Sequence, residues 1–269
     1  MKCFKNALET DYISLIDRAF HYGDGCFSTA RIRNGRIELL DLHLARLALA
    51  CEKLFLKFDI ELIEASLKQI NAQELANGTL KIVISRGDGQ RGYSLPDHDA
   101  DLWVYYYPKQ TNDFQPEFIQ AGILAQRMGF SMPNTVGLKT LNRLEQVLLK
   151  KEADEKGWAE AIVCDFQGNI VEGVSSNCFI RIKNRWITPE LRYNGVHGIM
   201  RAEILRRMQQ YNIECEQSSI HIDEIENIQS LFFCNALNPM KIVTQLDQQS
   251  LDSQVCVDLF NSLHLNQMS

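Results

Sequence analysis

Residues 26–40 read CFSTARIRNGRIELL, and this stretch decides the fold class. Apolar and polar residues alternate on both sides of Asn34-Gly35, which is the strongest short-range signal for a β-hairpin. Two helical patterns follow, at about 41–56 and about 62–75, and then strand patterns in TLKIVISRG (79–87) and DLWVYYYP (101–108). The first part of the chain is therefore predicted to be a sheet with helices packed on it.

The polar stretch PKQTNDFQP, residues 108–116, breaks the periodicity and contains two prolines. We place a domain boundary there, with an N-terminal α/β domain at 1–110 and a C-terminal domain at 111–269 that carries Lys139. The second half predicts a strand near 118–128, strands within 159–173 and 177–189, and a helix from about Gly198. Hairpins outnumber strand-helix-strand units, which favours a two-domain α+β fold with mixed and antiparallel sheets and flanking helices.

The composition of the 269-residue chain is that of an ordinary globular protein, with a formal net charge of −6. Its basic residues are scattered, so neither nucleic acid nor an anionic membrane is an expected partner. The eight cysteines form no CxxC pair and no Cys/His cluster, and the six histidines lack ligand spacing, so no metal site is expected. The start lacks the apolar core of a signal peptide, and we expect a cytoplasmic protein with a small molecule or another protein as its partner.

A lysine precedes the helical pattern of VGLKTLNRLEQVLLK, residues 136–150. Leu141, Leu144, Val147 and Leu148 follow the spacing of a core-facing stripe, and Asn142 with Glu145 has the spacing of a capping box. A cation near a helix start opposes the helix dipole. Lys139 is therefore either solvated, as most such lysines are, or kept for chemistry.

Three other features have both an ordinary and a chemical interpretation. Arg46 lies on a helix that is apolar on two sides, where its charge needs an acidic side chain or a ligand anion. The glycines of NGVHGIMRAEILRRM (194–208) precede a helix whose first N–H groups form an anion site or simply end a turn. RGDGQRGY (86–93) is a solvated loop or a presenter of arginines, and Glu172 is an exposed turn residue unless a partner is found.

Taken together, these segments resemble the class IV aminotransferase family of pyridoxal-phosphate enzymes, also called fold type IV. The resemblance spans nearly the whole chain, and its motifs stand in the family's order: DRAFHYGDGCFSTARI (17–32), HLAR (43–46), SRGDGQRGYS (85–94), GLKTLNRLEQVL (137–148), VEGVSSNCF (171–179), GVHGIMR (195–201) and FFCNAL (232–237). The resemblance implies the D-amino-acid aminotransferase-like fold, a homodimer and pyridoxal 5'-phosphate as the cofactor. The resemblance implies an elimination reaction, with transamination of D-amino or branched-chain amino acids as the alternative. A binding protein that kept the fold but lost the chemistry is a further alternative.

The resemblance also assigns cofactor-binding residues. Lys139 is implied as the lysine that holds the cofactor, and a lysine that attacks a carbonyl must be neutral. Glu172 would face the pyridine nitrogen and keep it protonated. The phosphate would be held by Arg46, the N–H groups of Ile199 and Met200, and the stretch Asn235-Ala236. Transaminases commonly have a threonine in that stretch, so this chain lacks that hydroxyl.

The remaining assignments concern the substrate and the proton. A planar guanidinium binds carboxylates in bidentate fashion, so Arg91 is the candidate substrate residue, assisted by Tyr93 and Arg31. Thr29 would donate a proton near the leaving group, although a strand threonine equally serves packing. Asn142 would position the lysine amine or the cofactor's phenolic oxygen, or would only cap the helix.

Overall fold

A computed structural model describes residues 1–70, 76–110 and 113–268. Its contacts divide the chain into two compact units. Unit 1 comprises Met1–Asn112 and Leu138–Arg143, and unit 2 comprises Asp113–Gly137 and Leu144–Met268. The predicted boundary at 110/111 adjoins residues 111 and 112, which lie outside the described part. The structure differs from the expected assignment of Lys139, because the segment that carries this residue packs within unit 1.

Unit 1 contains an antiparallel six-stranded sheet in the order β2-β1-β6-β5-β3-β4. Its elements are β1 (Lys2–Lys5), β2 (Leu8–Glu9), α1 (Arg18–Tyr22), β3 (Gly25–Arg33), β4 (Arg36–Ile37), α2 (Leu40–Lys53), α3 (Glu61–Gln69), β5 (Asn77–Ser85) and β6 (Asp101–Pro108). Apolar side chains of α2 and α3 pack against one face of this sheet and form the core. The second predicted helix, at about 62–75, is α3 in the structure, which ends at Gln69. Residues 71–75 of that prediction lie outside the described part.

The predicted hairpin at 26–40 is confirmed. Strands β3 and β4 pair antiparallel, with Ile32 opposite Ile37 and Arg33 opposite Arg36. Asn34 and Gly35 between them have φ values of 50° and 72°. Two consecutive left-handed residues match the right-handed twist of the flanking strands, which explains the Asn-Gly choice.

Unit 2 contains a three-stranded sheet, β10-β9-β8, and a seven-stranded sheet, β13-β12-β11-β14-β15-β16 with β7 paired to β15. Its elements are β7 (Glu117–Ala121), β8 (Ile123–Met128), α4 (Leu144–Glu155), β9 (Ile162–Asp165), β10 (Ile170–Gly173), β11 (Asn177–Ile182), β12 (Arg185–Pro189), α5 (Ile199–Gln210), β13 (Cys215–Ser218), β14 (Ile228–Asn235), β15 (Asn238–Leu246), β16 (Gln249–Ser250) and α6 (Gln254–Ser262). Short 3-10 turns occupy Pro133–Thr135 and Ile222–Asn227. The β8/β9, β12/β13 and β7/β15 pairs are parallel, so the sheets are mixed, as predicted.

Helix α4 buries a different face from the predicted one. It begins at Leu144, two residues after Asn142, so the predicted Asn142–Glu145 capping box is wrong. Leu144, Val147 and Leu148 are exposed by 66, 61 and 46%, whereas the core contact is made by Leu149 and Ala153. The helix is also fixed by Glu152, whose carboxylate accepts from the N–H groups of Ala125 and Gln126 in β8. The predicted stripe is apolar but does not contact the core.

Within the described ranges, the structure has no helix that combines the length and the apolar character needed to cross a lipid bilayer.

The hairpin turn yields a test of local stability. Gly35→Ala meets no atom within 4 Å, so its cost comes only from the left-handed backbone, and we expect about 1 kcal/mol of destabilisation. Gly129→Ala is the control, because that glycine also has open space around it and no left-handed φ. Urea unfolding of both variants measures the difference, and equal midpoints would contradict the assignment of the turn.

Candidate active site

Lys139 lies on an extended segment that pairs with the start of β3, five residues before α4 begins. The N–H of Phe27 donates to the Lys139 carbonyl (2.9 Å), and the N–H of Leu141 donates to the Gly25 carbonyl (3.0 Å). The half-buried Lys139 places Nζ 4.8 Å from the centre of the Phe27 ring. The amine is therefore directed by strand pairing and by an aromatic face.

Arg143 stabilises this segment from its own end. Its Nε donates to the Thr140 carbonyl (2.9 Å), and one terminal nitrogen donates to the Leu138 carbonyl (2.8 Å). These bonds satisfy carbonyl groups that no helix covers, so the turn before α4 holds a defined shape.

Arg46 of α2 belongs to a directed chain of hydrogen bonds. Its guanidinium donates to the Ser28 hydroxyl oxygen on β3, and that hydroxyl lies 2.5 Å from Nδ1 of His43. The Ser28 oxygen accepts from Arg46 and shares a second hydrogen bond with the imidazole of His43. Burial, and then the charge of Arg46, lower the pKa of His43 to about 3, so the imidazole is neutral at neutral pH.

The guanidinium of Arg46 is not satisfied by the chain itself. Among the described residues, its Nε is shielded from solvent and has no hydrogen-bond partner. Burial lowers its pKa to about 10, so the group stays charged at neutral pH. A shielded cation with an unused donor is a site for an anion.

The other predicted residues of unit 1 have different surroundings. Thr29 is half-buried on β3 and, by strand alternation, shares the face of Phe27. Arg31 is buried, with a terminal nitrogen 3.9 Å from a Glu38 carboxylate oxygen. Asn142 is exposed, and its backbone lies against Gly23 at the end of α1.

Arg91 and Tyr93 lie on the loop between β5 and β6. Both are exposed, and Tyr93 is exposed by 85%. The Tyr93 ring lies 5.5 Å from the ring of Tyr22 on α1. The loop therefore presents an exposed guanidinium and an exposed phenol on the surface of unit 1.

In unit 2, Glu172 is buried on β10 and has defined partners. Its Oε2 accepts from the N–H of Val196 (2.9 Å) and from Nδ2 of Asn177 (3.4 Å), and the same Nδ2 donates to the Val196 carbonyl (2.9 Å). The carboxylate is thus fixed by an amide and a backbone turn, so the exposed-turn alternative is wrong.

The start of α5 provides free backbone donors. The residue before the helix, Gly198, supplies no side-chain cap, and the first turn has no acidic residue. Helix geometry leaves the N–H groups of Ile199 and Met200 without acceptors inside the helix. A Cβ on Gly198 would lie 1.9 Å from Oδ1 of Asn177, so a side chain there is excluded. Such a helix start favours an anion.

Asn235 closes β14 beside the turn that follows β10. Its Nδ2 lies 3.4 Å from both the Ser175 carbonyl and the Ser176 hydroxyl. Both serine hydroxyls donate to the fully buried Glu160. Ala236 follows Asn235 at a turn of the chain. Glu160 holds the Ser175-Ser176 turn through the two serine hydroxyls.

Comparison with known proteins defines the class. The family model for amino-transferase class IV matches residues 25–246, and the chain belongs to that family. The fold is the two-domain α+β fold of type IV pyridoxal-phosphate enzymes.

Three relatives narrow the comparison. The chain is 30% identical over 237 residues to an aminodeoxychorismate lyase of Vibrio harveyi, covering 86% of each chain. It superposes with a TM-score of 0.87 on the crystal structure of 4-amino-4-deoxychorismate lyase from Pseudomonas aeruginosa, at 29% identity and covering 97% of this chain and 98% of that one. It is also 26% identical to a D-alanine aminotransferase of Bacillus licheniformis over 247 residues, covering 90% of this chain and 85% of the relative.

The residues present fit the cofactor that this family uses. Within unit 1, Arg46 has a shielded donor without a partner among the described residues, which suits an anion. Within unit 2, the start of α5 has no side-chain cap, and helix geometry leaves its first N–H groups available to a phosphate. Glu172 is a buried carboxylate suited to a protonated ring nitrogen.

Sequence reasoning missed Ser28, His43 and Asn177, which position Arg46 and Glu172. A signal existed for His43, because it precedes Arg46 by one helical turn and shares its face. Ser28 and Asn177 carry no such signal, since their partners come from other elements.

The lowered pKa of His43 predicts a loss of stability in acid. The imidazole titrates at ~6.5 in the unfolded chain and at about 3 in the folded one. Between these values the unfolded state binds more protons, so the free energy of unfolding falls as the pH falls from 6.5 toward 3. Between pH 7 and pH 5 the loss is about 2 kcal/mol. His43→Asn should flatten this part of the pH profile in denaturant unfolding, whereas the exposed control His264→Asn should not. Parallel profiles for wild type and His43→Asn would contradict the neutral assignment.

Proposed function

We propose that this protein is a pyridoxal-phosphate-dependent lyase that converts 4-amino-4-deoxychorismate to p-aminobenzoate and pyruvate, a step of folate biosynthesis. The observation that carries the proposal is that an aminodeoxychorismate lyase is matched both in sequence over 86% of the chain and in fold over 97% of it. The buried carboxylate, the shielded guanidinium and the directed lysine supply the chemistry such an enzyme needs.

Each cofactor role falls to a residue described above. Lys139 holds the cofactor aldehyde, Glu172 pairs with the ring nitrogen, and Arg46 with the N–H groups of Ile199 and Met200 holds the phosphate. Asn235-Ala236 completes the phosphate contacts, and Asn142 positions the amine or the phenolic oxygen. When bound, the protonated ring withdraws electrons from the substrate carbon beside the amino group.

Lys139 acts as the general base. Its Nζ removes the proton at C4 of the substrate, a step that requires the amine to be unprotonated. The substrate electrons then expel the enolpyruvyl ether oxygen at C3, and the carbon ring becomes aromatic. The aromatic product makes elimination faster than the reprotonation that a transaminase requires.

Arg91 and Tyr93 bind the substrate carboxylates from the β5–β6 loop. Bidentate pairing by Arg91 sets the orientation of a planar carboxylate. Arg31 would assist, although its guanidinium already faces Glu38. The hydroxyl of Thr29, on the face of Phe27, would donate the proton to the leaving oxygen.

The alternative is a D-amino-acid or branched-chain aminotransferase. The likeness to the D-alanine aminotransferase supports it, because it extends over 90% of the chain. The stretch Asn235-Ala236 favours the lyase, since it lacks the threonine common in transaminases.

We further propose a cytoplasmic homodimer. Leu144, Val147 and Leu148 form an exposed apolar stripe on α4. Glu145 on the same helix accepts from the N–H of Gly129, next to a cluster of exposed aromatic rings: Phe130, Phe166 and Tyr193. A second copy would bury this surface. All eight cysteines are free thiols, which supports a reducing compartment.

The reaction is tested by pyruvate release from 4-amino-4-deoxychorismate with and without 2-oxoglutarate. A lyase needs no amino acceptor, so we expect equal rates in both. Lys139→Ala should lower the rate about a thousandfold or more and abolish the cofactor's near-visible absorbance band.

Lys81→Ala is the matched control, because Lys81 Nζ also lies near the Phe27 ring, at 5.0 Å from its centre. This variant should retain the absorbance band. Turnover only in the presence of 2-oxoglutarate would instead establish the aminotransferase, and a colourless wild type purified with the cofactor would refute the cofactor assignment.

A further inference from the structure

We propose that Asp24 is a positioning residue for substrate binding, because it fixes the loop that carries Arg91 and Tyr93. This inference rests on the proposed function of that loop. Asp24, Arg18 and Arg86, here called the loop clamp, lie in unit 1 outside the cofactor-binding set.

A single carboxylate oxygen joins two arginines in the clamp. Oδ2 of Asp24 accepts from Nε of Arg18 and from Nε of Arg86, each at 2.8 Å. The two arginine side chains are only 4% and 8% exposed. Two buried cations require a shared anion, so each arginine's position depends on Asp24.

Arg18 holds the far side of the loop. One terminal nitrogen donates to the carbonyls of Gly92 (2.9 Å) and Ser94 (3.3 Å), on either side of Tyr93. The guanidinium also lies 5.0 Å from the Tyr22 ring, whose hydroxyl accepts from the N–H of Gly92 (3.2 Å). The residues that follow Arg91 are thus tied to α1.

Arg86 holds the base of the loop. Its terminal nitrogens donate to the carbonyls of Leu54 (2.7 Å) and Phe55 (3.0 Å), just after α2. Its own N–H donates to the Asp24 carbonyl (3.1 Å). Asp24 therefore connects the base of the loop to its far side. Through Arg86, both are also bonded to the end of α2, the helix that carries Arg46.

The exposed side chains of Arg91 and Tyr93 depend on this frame for their direction. Loss of the shared anion leaves Arg18 and Arg86 with uncompensated charges, which releases the bonds to Gly92 and Ser94. A loosened loop weakens a contact made equally in the bound and reacting states, so KM rises while kcat stays nearly constant.

The test uses the cofactor-loaded enzyme and the variant Asp24→Asn. We expect KM for 4-amino-4-deoxychorismate to rise about tenfold, with kcat within about twofold and the cofactor absorbance unchanged. Limited trypsin digestion followed by mass spectrometry should show faster cleavage of the Arg91–Gly92 bond. Asp24→Glu keeps the anion, so its KM and its rate of cleavage should lie between those of the wild type and those of Asp24→Asn.

The matched control is Asp97→Asn. Asp97 lies between β5 and β6, its side chain is 95% exposed, and it pairs with Lys57 on the surface. It should behave as the wild type in both measurements. If Asp24→Asn does not fold, Arg18→Lys serves in its place, because it keeps the charge beside Asp24 but loses the bonds to Gly92 and Ser94.

The outcomes separate this inference from the proposed reaction. Cleavage at Arg91 that is as slow as in the wild type overturns the positioning role, and so does faster cleavage with an unchanged KM. A further outcome is a wild type that releases no pyruvate, together with an Asp24→Asn variant that trypsin cleaves faster at Arg91 than the wild type. In that case the loop clamp is supported and the lyase assignment fails.

Discussion

The pairing of residues 139–141 with the start of β3 is the constraint on which the candidate site depends. Two backbone hydrogen bonds, from Phe27 to Lys139 and from Leu141 to Gly25, hold this segment extended. Gly25 permits the approach, because a Cβ there would lie 2.8 Å from Cδ1 of Leu141, and it would also lie 2.1 Å from the Ile84 carbonyl oxygen in β5. Side chains alternate along an extended backbone, so Lys139 shares the face of Phe27. The direction of the amine is therefore set by the sheet and not by the following helix.

The charges of the site are fixed before any ligand binds. The Arg46 guanidinium is oriented by Ser28 and His43, and the Glu172 carboxylate by Val196 and Asn177. Buried polar groups are costly unless they are partnered, so these hydrogen bonds offset the cost of holding charge inside the fold. At Arg46 the shielded Nε keeps capacity for a ligand. Such preorganisation reduces the rearrangement that binding requires.

Local chemistry explains which parts of the fold could be predicted from the sequence. The hairpin follows from the backbone preference of Asn34-Gly35, so it is legible without tertiary information. The buried face of α4 is not, because an apolar stripe has the same periodicity whether it meets the core or another surface. The motifs led to the predicted roles of Lys139, Arg46 and Glu172, which stay predictions. They did not reveal Ser28 or Asn177, since those contacts arise only when separate elements pack together.

Under the proposed function, the orientation of the substrate contributes to the choice between elimination and transamination. In the proposed roles, Lys139, Glu172 and Arg46 would serve both reactions, because each reaction begins with removal of a proton beside an amino group. Elimination then requires a substrate with a leaving group that is bound in the correct orientation. In this chain the residues assigned to that task, Arg91 and Tyr93, lie on a loop that Arg18, Asp24 and Arg86 hold, with two hydrogen bonds of 2.8 Å from the arginines to the Asp24 carboxylate. On this proposal, the loop and its supports act on the orientation of the substrate, whereas Lys139, Glu172 and Arg46 act on the cofactor.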